Sequence, residues 1–224
     1  MLDRSWVEIS RFAFTSIINN LLKAANQDCI TLDITANAYG HGFLQIALLA
    51  EQESAVSMIY LNTLEEAFKL RQAGVKKPIL IEQSTGQLPT IFQFKPFLSW
   101  KTRIYMIKQI PAQTSVGYNQ THLTTRTTTL AILPVGYTDG YPRALSNNAY
   151  VYVHGKVAPV IGLVSMNLLT VDITEIRQTQ VGDEVTLLGP ELLISYETLS
   201  SQANMIPLEL TARINSTFDR IIAP

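Results

Sequence analysis

Between residues 29 and 49 the sequence passes through three textures in turn. An apolar stretch, Cys29-Ile30-Thr31-Leu32-Asp33-Ile34, leads into the octapeptide Thr35-Ala36-Asn37-Ala38-Tyr39-Gly40-His41-Gly42, and that leads into Phe43-Leu44-Gln45-Ile46-Ala47-Leu48-Leu49. A strand that feeds a helix through a glycine-containing loop is the building unit of α/β folds, and the loop at the C-terminal end of the strand is where they place their chemistry. The same alternation continues on both sides. Residues 6–9 read as a short strand, and 12–25 carry Phe14, Ile17, Ile18, Leu21 and Leu22 on one helical face. Residues 57–61 are a further strand; Asn62 or Thr63 can cap the helix that follows, with Glu65 and Glu66 in its first turn and Gly74 as its stop. Residues 78–81 read as a fourth, buried strand. Repeated units of this kind imply parallel strands joined by right-handed crossovers.

After about residue 96 the pattern changes. Strands are expected over 102–107, 127–133, 150–153, 157–164, 169–173 and 184–188, separated by glycine and asparagine turns at the spacing of an all-β domain. The threonine-rich run 124–129 is ordinary strand material. A late helix is expected over 195–203. The sequence therefore divides into 1–96 and 97–224, with the boundary near 94–99.

Composition narrows the function classes. A net charge of −1 without basic or acidic blocks gives no reason to expect nucleic acid or an anionic membrane as partner. No apolar run approaches membrane-spanning length, and the first residues lack the apolar core of a signal peptide, so a globular cytoplasmic protein is expected. The single cysteine, Cys29, excludes an internal disulfide, and its strand setting predicts a small core residue. His41, His122 and His154 have no metal-ligand spacing.

Several further motifs stand in a fixed order: Trp6-Val7-Glu8-Ile9, Asn19-Asn20-Leu21, the octapeptide, and Thr63-Leu64-Glu65-Glu66-Ala67-Phe68 running on to Gly74. In the second half come Pro111-Ala112-Gln113-Thr114-Ser115-Val116-Gly117-Tyr118 and Leu133-Pro134-Val135-Gly136-Tyr137-Thr138-Asp139-Gly140-Tyr141-Pro142-Arg143. Ala158-Pro159-Val160-Ile161-Gly162, Ser165-Met166-Asn167, Val181-Gly182-Asp183 and Ile206-Pro207-Leu208-Glu209-Leu210 with Arg213-Ile214-Asn215 complete the set. Together they resemble the alanine racemases, pyridoxal-phosphate enzymes of fold type III. The resemblance implies a β/α (TIM-type) barrel followed by an all-β C-terminal domain, a homodimer, and interconversion of L-alanine and D-alanine for peptidoglycan. A complete barrel has eight strands in about 250 residues. This chain has room for roughly four βα units, so the family's middle and later strands are expected to be missing between Ile81 and Phe94, and the barrel to be truncated.

Residue by residue, the resemblance places the cofactor lysine at Thr35, a phosphate-holding tyrosine at Tyr39 beside Gly40, and a second phosphate tyrosine at Leu208. Met166 falls near the substrate carboxylate, with Asn167 where the family usually has aspartate. Tyr137 takes the place of a catalytic tyrosine that acts from the β domain of the other subunit. The arginine facing the cofactor's ring nitrogen belongs to the missing strands. Two positions depart from the pattern. A Schiff base needs a primary amine, which a threonine hydroxyl cannot supply, and Leu208 has no hydrogen-bonding group. Tyrosine ionises near pH 10 when unperturbed, so Tyr137 as a base would need cationic surroundings. Read without the family, 138–140 is a turn with Tyr137 and Tyr141 as packing residues, Tyr39 caps its loop, and His41 is a structural hydrogen-bonder. Lys76 and Lys77 precede a strand, at the wrong end of a βα unit to replace the missing amine. Three functions stay open: a degenerate racemase relative, an active pyridoxal-phosphate racemase, and a non-enzymatic oligomerisation or ligand-binding protein.

Overall fold

The computed structural model describes residues 5–81, 91–92 (backbone alone) and 95–224. The region between Ile81 and Phe94, where the sequence is expected to skip barrel strands, lies outside the described residues except for Ile91–Phe92. Two compact units are present: Ile9–Phe97 with Arg220–Pro224, and Met1–Glu8 with Leu98–Asp219.

The first of these is the α/β unit. Its sheet has four strands in the order Ile79–Ile81, Val56–Leu61, Ile30–Asp33, Ile91–Phe92, and all its pairings are parallel. Leu32 faces Ile59, and Asp33 faces Tyr60. The two inner strands are apolar because both their faces are covered: Ile30, Leu32, Val56, Ile59 and Leu61 are all buried. Ile79–Ile81, at one edge, is only half-buried along its length. The helix Arg11–Ala25 starts where Ser10 accepts the Ala13 N–H and stops at Asn26, which adopts the left-handed conformation; Phe14 and Ile18 are its buried contacts. Phe43–Gln52 buries Ile46, Ala47, Leu49 and Ala50. Leu64–Gln72 is capped by Thr63, whose hydroxyl accepts the Glu66 N–H and donates to the Glu66 carboxylate. Cys29 is exposed, contrary to the expectation of a core residue. The strand begins one residue later, at Ile30, so Cys29 belongs to the approach.

The second unit is β-rich. Its main sheet runs Lys156–Pro159, Tyr150–Val153, Glu184–Leu188, Leu98–Arg103 and then the first residues of Ser5–Ser10. A second sheet has three antiparallel strands, Leu169–Asp172, Thr128–Leu133 and Met106–Ile110. Trp100 and Tyr141 are fully buried with ring centroids 6.0 Å apart, and the Trp100 indole donates to Ser5 Oγ at 2.7 Å. Ser5 Oγ in turn donates to the Lys101 carbonyl at 2.6 Å, so the buried indole N–H and serine hydroxyl are both paired.

Several expected boundaries move. The single strand expected over 102–107 is two strands, Leu98–Arg103 and Met106–Ile110, because the chain changes sheet between them. Ile104 N–H bonds to the Asp183 carbonyl and Tyr105 N–H to that of Ile132. The strand expected over 157–164 spans Lys156–Pro159 alone; Gly162 turns away with φ +77°. The late helix is Tyr196–Ala203, capped by Ser195. A second helix, Pro207–Ala212, and the strand Asp219–Ala223 follow, neither expected from the sequence. Among the described residues no helix is long and apolar enough to cross a membrane.

Candidate active site

The octapeptide leaves the strand Ile30–Asp33 as a left-handed turn. Ala36, Asn37, Ala38 and Tyr39 all have φ between 50° and 56°. Such a run is costly for residues with a side chain, and persists only when its surroundings hold it. Here the holding contacts are specific. Asn37 Oδ1 accepts the Phe43 N–H at 3.0 Å and so caps the following helix, while the Asn37 carbonyl accepts the Gly42 N–H at 2.9 Å. The Gly40 carbonyl accepts from Arg220 Nε at 3.2 Å. His41 is wholly buried; its Nε2 accepts the Phe97 N–H at 3.1 Å, so its Nδ1 carries the proton and donates to the Ala38 carbonyl at 2.9 Å. Burial drives its pKa down to about 3, so the ring is neutral and structural.

Thr35 opens this turn and is nearly buried. Its N–H donates to Asp33 Oδ1 at 2.9 Å, and the second carboxylate oxygen, Oδ2, accepts the Tyr39 hydroxyl proton at 2.5 Å. Thr35 Oγ1 stands 3.4 Å from the same hydroxyl. Asp33 is itself 5% exposed. Its part was missed in the sequence, although an acid inside the apolar run 29–34 was the available signal.

Tyr137, Met166 and Leu208 lie in the β-rich unit. Tyr137 and Met166 come together there: both line an open cavity of about 680 Å³, with Tyr118, Asn119, Arg143, Val164 and Ser165. The loops carrying them are bonded backbone to backbone, Tyr137 N–H to the Ser165 carbonyl at 3.0 Å and Thr138 N–H to the Met166 carbonyl at 3.1 Å. Gly136 permits this approach, since a Cβ on it would lie 2.3 Å from both the Ser165 and the Met166 carbonyl oxygens. Asp139, buried, accepts the Gly136 N–H through Oδ2 at 2.9 Å and closes the turn. Asn167 donates from Nδ2 to Thr138 Oγ1 at 2.9 Å, a use the amide serves as a donor. Arg143 and Tyr118 are additional lining residues; Arg143 ends the motif 133–143, and only the fold places it beside Met166. Leu208 sits half-buried on the helix Pro207–Ala212.

The residues present do not fit pyridoxal phosphate as a covalently held group. Position 35 has no amine, the Tyr39 proton is already given to a carboxylate, and Leu208 has nothing to donate. Two other lysines of the α/β unit are engaged elsewhere. Lys77 Nζ donates to the Glu53 and Val56 carbonyls at the start of a strand, the opposite end from the octapeptide's, and Lys69 pairs with Glu65. Lys95 lines a groove formed by Ile17, Asn20, Leu21 and Ala24. Among the described residues no three His, Cys, Asp or Glu side chains gather as a metal site.

Comparison with known proteins gives a consistent likeness. The family model described as "Alanine racemase, C-terminal domain" matches residues 97–222, and "Alanine racemase, N-terminal domain" matches 9–115. The alanine racemase of Halothermothrix orenii is 43% identical over 128 residues, 56% of this chain and 34% of its own length. A broad specificity amino-acid racemase of Aeromonas hydrophila is 43% identical over 102 residues, 46% of this chain and 25% of its own. The first of these matches thus spans about a third of the relative's length. Among solved structures, the Clostridium difficile 630 alanine racemase in complex with cycloserine superposes with a TM-score of 0.85 at 18% identity, over 99% of this chain and 96% of that one. The Bartonella henselae alanine racemase with covalently bound pyridoxal phosphate gives 0.77 at 20%, over 98% and 99%. At these identities the superpositions speak to fold, which is that of a barrel-plus-β racemase in shortened form.

Proposed function

Since this chain belongs to the alanine racemase family, we propose that it is a degenerate member which does not interconvert L-alanine and D-alanine. The observation that carries this reading is the nearly buried threonine at position 35, where the resemblance puts the cofactor lysine. The family depends on pyridoxal phosphate, a group that stabilises charge at the α-carbon of a bound amino acid. Removing its lysine removes the anchor and one of two proton-transfer groups, and a loss of many orders of magnitude follows. In the β-rich unit, two of the positions the resemblance singles out lie together. Tyr137 and Met166 share one cavity, held by the Gly136 and Asp139 contacts, and Arg143 offers a cation suited to a small carboxylate such as that of alanine. We read the protein as cytoplasmic and homodimeric, in keeping with the family.

Racemisation of L-alanine by the purified protein with added pyridoxal phosphate, followed by chiral separation, tests the reading. A Tyr137→Phe preparation made identically exposes any host racemase carried through purification. Equal, background levels of D-alanine in both are expected. D-alanine formed by the unmutated protein alone would establish an active racemase in which some amine other than one at position 35 serves the cofactor.

A further inference from the structure

The missing lysine is one obstacle to the family's cofactor; the hydrogen bonds around Asp33 make a second, chemically different one. We propose that Asp33 is a specificity-determining residue that closes the octapeptide loop to a phosphate monoester, independently of what stands at position 35. This inference rests on the reading above that the loop is the inherited cofactor loop.

Tyr39 has a single hydroxyl proton, and it is directed to Asp33 Oδ2 at 2.5 Å. A hydroxyl donating to a carboxylate cannot donate the same proton to a phosphate oxygen. Ionic acceptors make the stronger hydrogen bonds, so the carboxylate holds that proton well. A phosphate arriving at Tyr39 would also meet the negative charge of Asp33 at short range, in a setting where Asp33 and Thr35 are both nearly buried and water screens little. Four successive residues in the left-handed region bring the Tyr39 ring back toward a residue six positions earlier, and Asp33 Oδ1 pins the start of that turn through the Thr35 N–H at 2.9 Å. One carboxylate thus both holds the turn and occupies the group that would grip a phosphate.

The two roles separate in Asp33→Asn. An asparagine oxygen still accepts the Thr35 N–H, so the turn is kept, while its amide nitrogen donates to the tyrosine oxygen and frees the hydroxyl proton. The experiment restores an amine with Thr35→Lys, alone and combined with Asp33→Asn. Each protein is titrated with pyridoxal phosphate and with pyridoxal, which has the same aldehyde and no phosphate. Imine formation is read from visible absorption and located by borohydride reduction and peptide mass. The expected result is that Asp33→Asn tightens pyridoxal phosphate binding by a hundredfold or more and leaves pyridoxal within about threefold. Equal affinity of the single and double variants for pyridoxal phosphate, with the imine at position 35, overturns the role of Asp33 and leaves the loop's assignment standing. No imine at position 35 with either aldehyde, in variants that melt like the unmutated protein, overturns the loop's assignment and this inference with it. If Thr35→Lys does not fold, the non-covalent arm decides. Quenching of intrinsic fluorescence by pyridoxal phosphate then shows tighter binding to Asp33→Asn than to the unmutated protein, tenfold or more, and equal binding refutes the proposal.

Discussion

At position 41 a histidine inside a motif from a catalytic family turns out to be a fixed strut. Both ring nitrogens are committed, one to the Phe97 N–H and one to the Ala38 carbonyl, and burial holds the pKa at about 3. The sign of the pH effect follows. Between the ordinary histidine value near 6.5 and the folded value of about 3, the unfolded chain binds a proton that the folded one refuses, so stability falls as pH falls. The slope is about 1.4 kcal/mol per pH unit in that window. Denaturant melts at pH 7, 6 and 5 check this, with His41→Ala expected to lose the extra slope as well as stability. The structural reading of this histidine was available in the sequence, because a lone imidazole among apolar neighbours is more often bonded than reactive. Asp33 was not legible in the same way. Its carboxylate acquires a role only when the left-handed turn returns Tyr39 to it, and nothing in residue spacing predicts four positive φ angles in succession. Cys29 failed for a simpler reason, since an apolar run does not say which of its residues is the first to pair.

At the scale of elements, periodicity located the helices and strands, and pairing decided where they end. Strands 150–153 and 184–188 appear where alternation put them. The run 102–107 did not, because continuity of β-branched residues cannot reveal that Ile104 and Tyr105 exchange one sheet's carbonyls for another's. Pro207–Ala212 escaped notice because proline at a helix start reads equally as a stop to what precedes it. The Tyr137 turn was found as a motif, but its backbone coupling to Ser165 and Met166 is visible only in three dimensions. That coupling is testable. Gly136→Ala places a methyl group 2.3 Å from two carbonyl oxygens, which forces the loops apart at a cost of about 1–3 kcal/mol or more. Thermal denaturation should show the loss, and a tyrosine fluorescence probe of the cavity should change with it. An alanine variant as stable as the parent would mean that the loops are not held as described.

For the whole molecule, the consequence of the short α/β unit is a parallel sheet with four strands among the described residues, where the family's fold has eight. The half-buried Ile79–Ile81 strand at one edge is the kind of surface proteins cover. Together with the homodimer proposed above, this predicts a light-scattering mass of about twice the 24.9 kDa chain at micromolar concentration. A monomeric mass with an unchanged melting curve would contradict it. The family and the two-part grammar of the fold were legible because they are spread over many residues, and no single substitution erases them. The proposed loss of activity is the reverse case, resting first on one side chain. Its most direct test is to follow the α-proton of L-alanine by NMR in deuterated water with the protein and pyridoxal phosphate, because exchange detects proton abstraction even when no D-alanine accumulates. The expected spectrum shows no exchange beyond that of the Tyr137→Phe protein; exchange that Tyr137→Phe abolishes would contradict the account.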